Sequence, residues 1–335
     1  MAAHRKEDGR FQRHTEGLSL VVAPEVIVPP REINYKYIED ESDISGEQMM
    51  ETNQTYADFP EEYSDQEYKP ESLSDMWEYV LKKYLPILQS LPTDAKVALY
   101  GVGTGSQRIL FALLRDDINI FASDFNVNMI KVAEDKLIWE NIQKIAKFLN
   151  VVDKKNWIGG VLDLISQINN KYKKSPTETR YFHTENMIED ILERTSLVQK
   201  DIRFLDYPPK TFDMSMAIAV LPHIPKSEVV NTILGMLRVL KAGGTCHFNL
   251  RADMGRWNEE EAKGRVFWDD VIGGRRFFTT YTRYEVEALI EYLKQLVPGI
   301  QVFIDDKITP HHDKHKPEFV NFRLVLPLEN LPKAA

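Results

Sequence analysis

Residues 97–105 read Val-Ala-Leu-Tyr-Gly-Val-Gly-Thr-Gly and run directly into an amphipathic stretch, Ser106 to Leu114. An apolar strand, a glycine turn and a helix start are the parts of a cradle for a nucleotide-type ligand. Glycines at alternate positions accept positive φ and place no Cβ against the ligand. A helix N-terminus adds free N–H groups and the positive end of its dipole. The next apolar run, Ile118 to Ser123, ends in Asp124. A carboxylate at the tip of a second strand is placed to accept hydrogen bonds from a ribose diol. The spacing is G-x-G-x-G, and the third glycine of a dinucleotide fingerprint would fall at Ser106, which argues against a nicotinamide cofactor.

Further groups could also do chemistry. His223, in Leu221-Pro222-His223-Ile224 just past an apolar run, could take a proton near neutral pH or could simply pack its turn. Between Arg251 and Arg283, arginines at 251, 256, 265, 275, 276 and 283 are interleaved with aromatic residues such as Trp257, Trp268 and Phe278. Guanidinium forks bind carboxylate or phosphate and rings hold an apolar body, which makes Arg251 and Trp268 candidate substrate contacts. Acids in the same stretch, Glu259 to Glu261 and Asp269 to Asp270, offer those arginines an ordinary surface pairing instead. Tyr56, in an acidic, tyrosine-bearing segment ahead of the glycine turn, is a third substrate candidate. His312 and His315 have zinc-chelating spacing, but Pro310 and Pro317 bracket them and Lys314 intrudes. That segment reads as a hairpin loop, and no metal is expected.

Strands and helices must hold these groups. Leu73 to Leu91 has apolar residues at helical spacing, with Ser74 as a possible N-cap and Pro86 as a kink. Val127–Leu149 reads as a long helix. The segment 151–197 reads as an insertion with helical patterns at Gly160–Tyr172 and Thr184–Arg194. Phe212–Ala217 is expected as a strand, Lys226–Leu240 as a helix, Thr245–Leu250 as a strand, and Tyr284–Leu296 as a helix capped by Thr282. Gln301–Asp306 and Phe319–Leu326 close the chain as a pair of strands. The alternation predicts an α/β fold with a doubly wound, mostly parallel sheet and an antiparallel last strand. Ligands in such sheets sit at the carboxyl ends of the strands.

Together the runs Val97–Gly105, Ile120–Met129 and Asp201–Leu240 resemble the class I S-adenosylmethionine-dependent methyltransferases, of small-molecule type. The resemblance implies a seven-stranded Rossmann-like sheet and S-adenosyl-L-methionine as cofactor. It implies that Gly101, Gly103 and Gly105 cradle the methionine part and that Asp124 binds the ribose. Phe125 would pack on adenine, with Met129 one helical turn on. Asp201 would take the adenine amino group beside the Ile202 backbone. Ala217–Ile224 resembles the segment leaving the fourth strand, which brings Ala219 to the cofactor and His223 toward the methyl group. The implied activity is methyl transfer to an O or N atom of a small metabolite, an acidic one if the arginines contact it. One position departs from the family: the acid usual two residues before the first glycine is Leu99 here. That leaves open a non-catalytic binding or scaffold protein on the same fold, and a peptide or protein acceptor is a further alternative.

Composition sets the frame. A chain of 335 residues, 43% hydrophobic and 28% charged, accommodates one large α/β domain with appendages. The expected division is an acidic extension over 1–70, partly disordered or lid-like, and a methyltransferase domain over 71–330. Of the net charge of −9, the segment Lys36–Asp75 carries −11, from thirteen acids against two bases, so the remainder is +2. An acidic leader argues against nucleic acid, whose backbone calls for clustered Lys and Arg. Residues 1–50 read as a solvated leader, and Tyr56 to Tyr68 as either a lid over the cofactor or a linker. No run approaches the roughly 20 apolar residues of a membrane span, and Met1 to His14 lacks a signal-peptide core, so a cytoplasmic protein is expected. A single cysteine, Cys246, excludes a disulfide framework. The sequence leaves the oligomeric state open.

Overall fold

In the computed structural model the described residues are 36–38, 43–62, 84–135, 184–252, 266–269, 274–308 and 318–328. The chain divides into a unit Met1–Glu32 and a unit Ile33–Ala335, and every described residue belongs to the second. Its strands are β1 (Lys36–Ile38), β2 (Lys96–Tyr100), β3 (Asn119–Asp124), β4 (Thr195–Gln199), β5 (Phe212–Ala217), β6 (Leu240–Ala252), β7 (Val266–Asp269), β8 (Arg276–Tyr281), β9 (Gln301–Ile308) and β10 (Glu318–Val325). The helices include α1 (Gly46–Asp58), α2 (Ser106–Leu114), α3 (Val127–Asp135), α4 (Thr184–Arg194), α5 (Lys226–Arg238) and α6 (Arg283–Leu296), and residues 84–90, within the span expected as a helix ahead of β2, are helical as well.

Seven strands form the expected doubly wound sheet in the order β4-β3-β2-β5-β6-β10-β9. The four pairings from β4 to β6 are parallel, and β10 runs antiparallel to both β6 and β9. The chain leaves β2 toward β3 on one side and returns to β5 on the other, so the topological switch lies between β2 and β5. A ligand crevice is expected above that point. Strand β2 is buried from Val97 to Tyr100 because helices cover both faces of a parallel sheet. Its alternate side chains enter two cores: Val97 and Leu99 pack with Ile109, Leu110 and Met214, and Ala98 and Tyr100 with Ile233, Phe248 and Phe322.

Beyond that core, the sheet has an extension. The last residues of β6, Arg251 and Ala252, pair in parallel with Thr280 and Tyr281 of β8, and β7 and β1 add antiparallel strands beyond it. The stretch after β6, read from sequence as a specificity segment, thus contains two strands. β8 is buried from Phe277 to Tyr281, so both faces are covered and no polar alternation marks it. Helix α1 is a second departure from expectation. It begins at Gly46, inside the segment read as solvated leader, and is started by a capping box. There the Gln48 N–H donates to Ser45 Oγ (3.2 Å) and the Ser45 N–H to Gln48 Oε1 (2.8 Å). Thr282 caps α6 by the same device with Glu285, as its sequence suggests. Strand β4 starts at Thr195, within the span assigned to the insertion. The pattern at Gly160–Tyr172 and the histidines at 311, 312 and 315 lie outside the described residues. Among the described residues no helix is long and apolar enough to cross a membrane.

Candidate functional site

The glycine turn and the acid of β3 are built as one unit. Gly101, Gly103 and Gly105 all have positive φ, at 63°, 53° and 83°. A Cβ on Gly101 would stand 2.2 Å from Val220 Cγ2, so this position excludes side chains on two grounds. Gly105 is the left-handed N-cap of α2 and a Cβ there would meet Ala133 Cβ at 3.0 Å; its role is to start the helix, and it is not among the residues lining the cavity. The Gly103 N–H donates to Asp124 Oδ2 and the Asn126 N–H to Asp124 Oδ1, both at 2.8 Å. Each carboxylate oxygen keeps a second lone pair for a ligand hydroxyl. Burial raises the Asp124 carboxyl above its ordinary pKa, against the N–H groups of Asn126, Gly103 and Phe125, which pull it down.

Above the β2/β5 switch lies a cavity of about 1100 Å³, its open mouth included. Gly101, Gly103, Asp124, Phe125, Met129, Asp201, Ile202, Ala219 and His223 all line it, as does Tyr56 from α1. Met129 is buried, whereas the Phe125 ring is 38% exposed, an apolar face left uncovered by protein. Asp201 caps the short 3-10 turn Ile202–Phe204 by accepting from the Arg203 N–H (2.9 Å). The Arg203 fork holds the same carboxylate through Nε (3.1 Å) and Nη2 (2.7 Å) and reaches Glu228 at 2.9 Å. Those two acids raise the guanidinium pKa, Asp201 first. Asp201 is therefore fixed in place, and the adjoining Ile202 N–H has no protein acceptor among the described residues. Ala219 adopts φ 59°, a left-handed conformation that costs a non-glycine residue about 1–2 kcal/mol. Its N–H is held by Oδ1 of the buried Asn249 (2.8 Å).

The other side of the cavity comes from α1, whose Met49, Thr52, Asn53 and Tyr56 line it at the spacing of one helix face. Polar groups dock this helix at both flanks. Asn126, the N-cap of α3, donates through Nδ2 to the Asn53 carbonyl (2.9 Å), and Asn128 Nδ2 donates to the Ala57 carbonyl (2.9 Å). On the β8 side, Thr55 Oγ1 donates to the Arg275 carbonyl (2.7 Å) and the Phe277 N–H donates to Thr52 Oγ1 (2.8 Å). Gly274 lies so close beneath that a Cβ would meet Thr55 Oγ1 at 2.6 Å. The Tyr56 ring meets His223 edge-on at 6.1 Å, and Arg276 Nη1 donates to the Tyr56 hydroxyl (3.3 Å). His223 Nδ1 lies 2.6 Å from the Phe277 carbonyl oxygen. A carbonyl only accepts, so Nδ1 carries the proton and, in the neutral ring, Nε2 presents the lone pair.

Arg251 is elsewhere. Its guanidinium stacks 3.8 Å from the Phe278 ring centre and 4.7 Å from that of Phe319, and it is not among the residues lining the cavity. Trp268 lies on β7, in register with Lys36 and Phe277. Sequence reasoning missed Asn126 and the rest of the α1 face. The signals were present as Ser45-x-x-Gln48 and as the spacing of 49, 52, 53 and 56.

No family model and no curated protein matches the chain. Solved structures do. A 1,6-didemethyltoxoflavin N1-methyltransferase of Burkholderia thailandensis, bound to 1,6-didemethyltoxoflavin and S-adenosylhomocysteine, is 12% identical; the match covers 89% of this chain and 96% of that one, with a TM-score of 0.48. A DhpI complex with SAM and HEP is 15% identical, covering 85% and 100%, with a TM-score of 0.49. The cyclase SpnF is 13% identical, covering 75% and 83%, with a TM-score of 0.44. Identities and TM-scores this low assign the chain no activity, which has to be read from its own residues.

Proposed function

We propose that this chain binds S-adenosylmethionine and transfers its methyl group to an O or N atom of a small, acidic molecule. One observation carries the reading: the glycine turn at Gly101 and Gly103, the Asp124 carboxylate and the Asp201–Ile202 pair all open onto one cavity at the switch point. Asp124 accepts from a ribose diol, with its orientation already set by two backbone N–H groups. The Asp201 carboxylate and the Ile202 N–H offer an acceptor and a donor side by side, which suits a purine edge. Phe125 supplies the apolar face for the ring. Bound there, the cofactor supplies a methyl group on a sulfonium, an electrophile strong enough that catalysis is mostly alignment. The chain's part is to place the nucleophile, exclude water beneath α1 and take a proton at His223 Nε2. Arg203 lines the cavity but is engaged by Asp201 and Glu228; Arg276 does not line it but donates to the hydroxyl of Tyr56, which does, and this is the guanidinium we assign to an acidic group of the acceptor.

A second reading, a ligand-binding protein without turnover, is favoured by Leu99. Its side chain is 1% exposed in the apolar core, so β2 brings no acid to the ligand at the position where the resembling family has one. Calorimetry separates the possibilities. S-adenosylhomocysteine should bind and NAD should not. A metabolite extract incubated with the protein and S-adenosylmethionine should then yield a species heavier by one methylene. Binding without any such species supports the second reading, and failure to bind S-adenosylhomocysteine removes both.

A further inference from the structure

We infer that Thr52 of α1 is a positioning residue for His223, acting through Phe277 of β8; the inference rests on the proton-accepting role of His223 proposed above. In an extended strand the N–H and C=O of one residue point to the same side. For Phe277 that side is the edge of β8 which β6, paired only at Thr280 and Tyr281, does not reach. The two groups exposed there are satisfied by side chains from different parts of the chain. The N–H donates to Thr52 Oγ1 (2.8 Å), and the C=O accepts from His223 Nδ1 (2.6 Å). Thr52 has two acceptors for its hydroxyl proton, the Gln48 carbonyl one turn back at 3.0 Å and the Phe277 carbonyl at 3.5 Å; the nearer one takes the proton, and the oxygen accepts from the Phe277 N–H. Thr52 and Phe277 are each 3% exposed, so water does not compete at this junction.

The consequence falls on the imidazole. The Phe277 carbonyl selects the Nδ1–H tautomer and leaves Nε2 as the basic nitrogen. The direction of that carbonyl depends on the Phe277 backbone, which Thr52 pins through the N–H on the same edge. The docking of α1 over the cavity and the protonation pattern of its histidine therefore share one residue. Thr55 clamps the same edge independently at Arg275, so removing the Thr52 hydroxyl leaves the helix docked and perturbs the junction alone.

Nitrogen NMR on the full chain with labelled histidine tests this, with His223→Gln assigning the relevant signals. The wild type should show His223 as the Nδ1–H tautomer. Thr52→Val, which keeps the shape and deletes the acceptor, should lower the ratio of Nδ1–H to Nε2–H about five-fold, the equivalent of one ordinary hydrogen bond. Thr52→Ser should restore it. A wild-type Nε2–H tautomer overturns the inference even if no variant folds. A Thr52→Val protein that melts earlier with an unchanged His223 signature overturns it as well, since a structural role alone would do that. S-adenosylhomocysteine titrated into the same samples tests the cofactor reading separately, because the tautomer result stands or falls without it.

Discussion

Replacing Asp124 with alanine is the sharpest test of the site. Two hydroxyls of a ribose diol donating to a carboxylate make charge-assisted hydrogen bonds worth about 1.5–3 kcal/mol each. Losing both removes roughly 3–6 kcal/mol, or about two to four powers of ten in the Kd of S-adenosylhomocysteine. The fold should tolerate the change. The carboxylate also holds the Gly103 and Asn126 N–H groups at 2.8 Å, but these stand at the wall of an open cavity, where water can take its place. Each kcal/mol lost would lower Tm by roughly 2–4 °C in a domain of this size. Titration calorimetry beside a thermal melt reads both quantities. The pH profile adds a signed check. Since burial raises the Asp124 carboxyl and only the ionised form accepts two hydroxyls, affinity in the wild type should be complete above that raised pKa. It should be lost as pH falls through it, earlier on acidification than for an ordinary aspartate. An alanine variant that stays folded and keeps its affinity within about three-fold would refute the ribose assignment, given the size of the bonds removed.

Three further outcomes follow from other parts of the molecule. Gly101→Ala should destabilise through both its φ of 63° and the approach of its Cβ to Val220; adding Val220→Ala should recover the steric part only, and full recovery of Tm would show that the backbone conformation costs nothing. The Cys246 thiol, pushed up to about 12 by burial, should resist thiol reagents at pH 8 until the chain is unfolded; because the unfolded thiol ionises first, stability should decline as pH rises from about 9 toward that value, and rapid labelling of the native protein would contradict the burial. Ser45→Ala removes one half of the α1 capping box, costs about 1 kcal/mol, and should speed hydrogen exchange of the α1 amides several-fold while leaving those of β2 unchanged.

The parallel half of the sheet was legible because its signals are local. An apolar run ending in Gly101-Val-Gly103-Thr-Gly105 can hardly be anything but a strand meeting a helix. Asp124 follows the next strand by position alone, and Thr282 was legible as the cap of α6, which starts at Arg283, one residue before the Tyr284 read from sequence. What was not legible depends on distant partners. Helix α1 looks like an acidic leader because its docking uses threonine and asparagine groups on backbone edges rather than an apolar stripe. Strand β8 is buried on both faces and meets β6 at two residues only, so nothing in its own pattern separates it from a loop rich in aromatics. Arg251 shows what environment adds to residue type. The same guanidinium that could bind an anion spends its planar faces on Phe278 and Phe319.

The bond from Thr55 to Arg275 spans 220 residues. At typical elongation rates of about 5–20 residues per second, that separation corresponds to roughly ten to forty seconds of synthesis. During that interval β2, β3 and β5 can emerge and pair while α1 has its Asn126 and Asn128 contacts but not yet the edge of β8. The nascent chain thus completes the clamp on this helix last, and a polypeptide released before β8 would carry the glycine turn and both carboxylates beneath a helix held at one flank only.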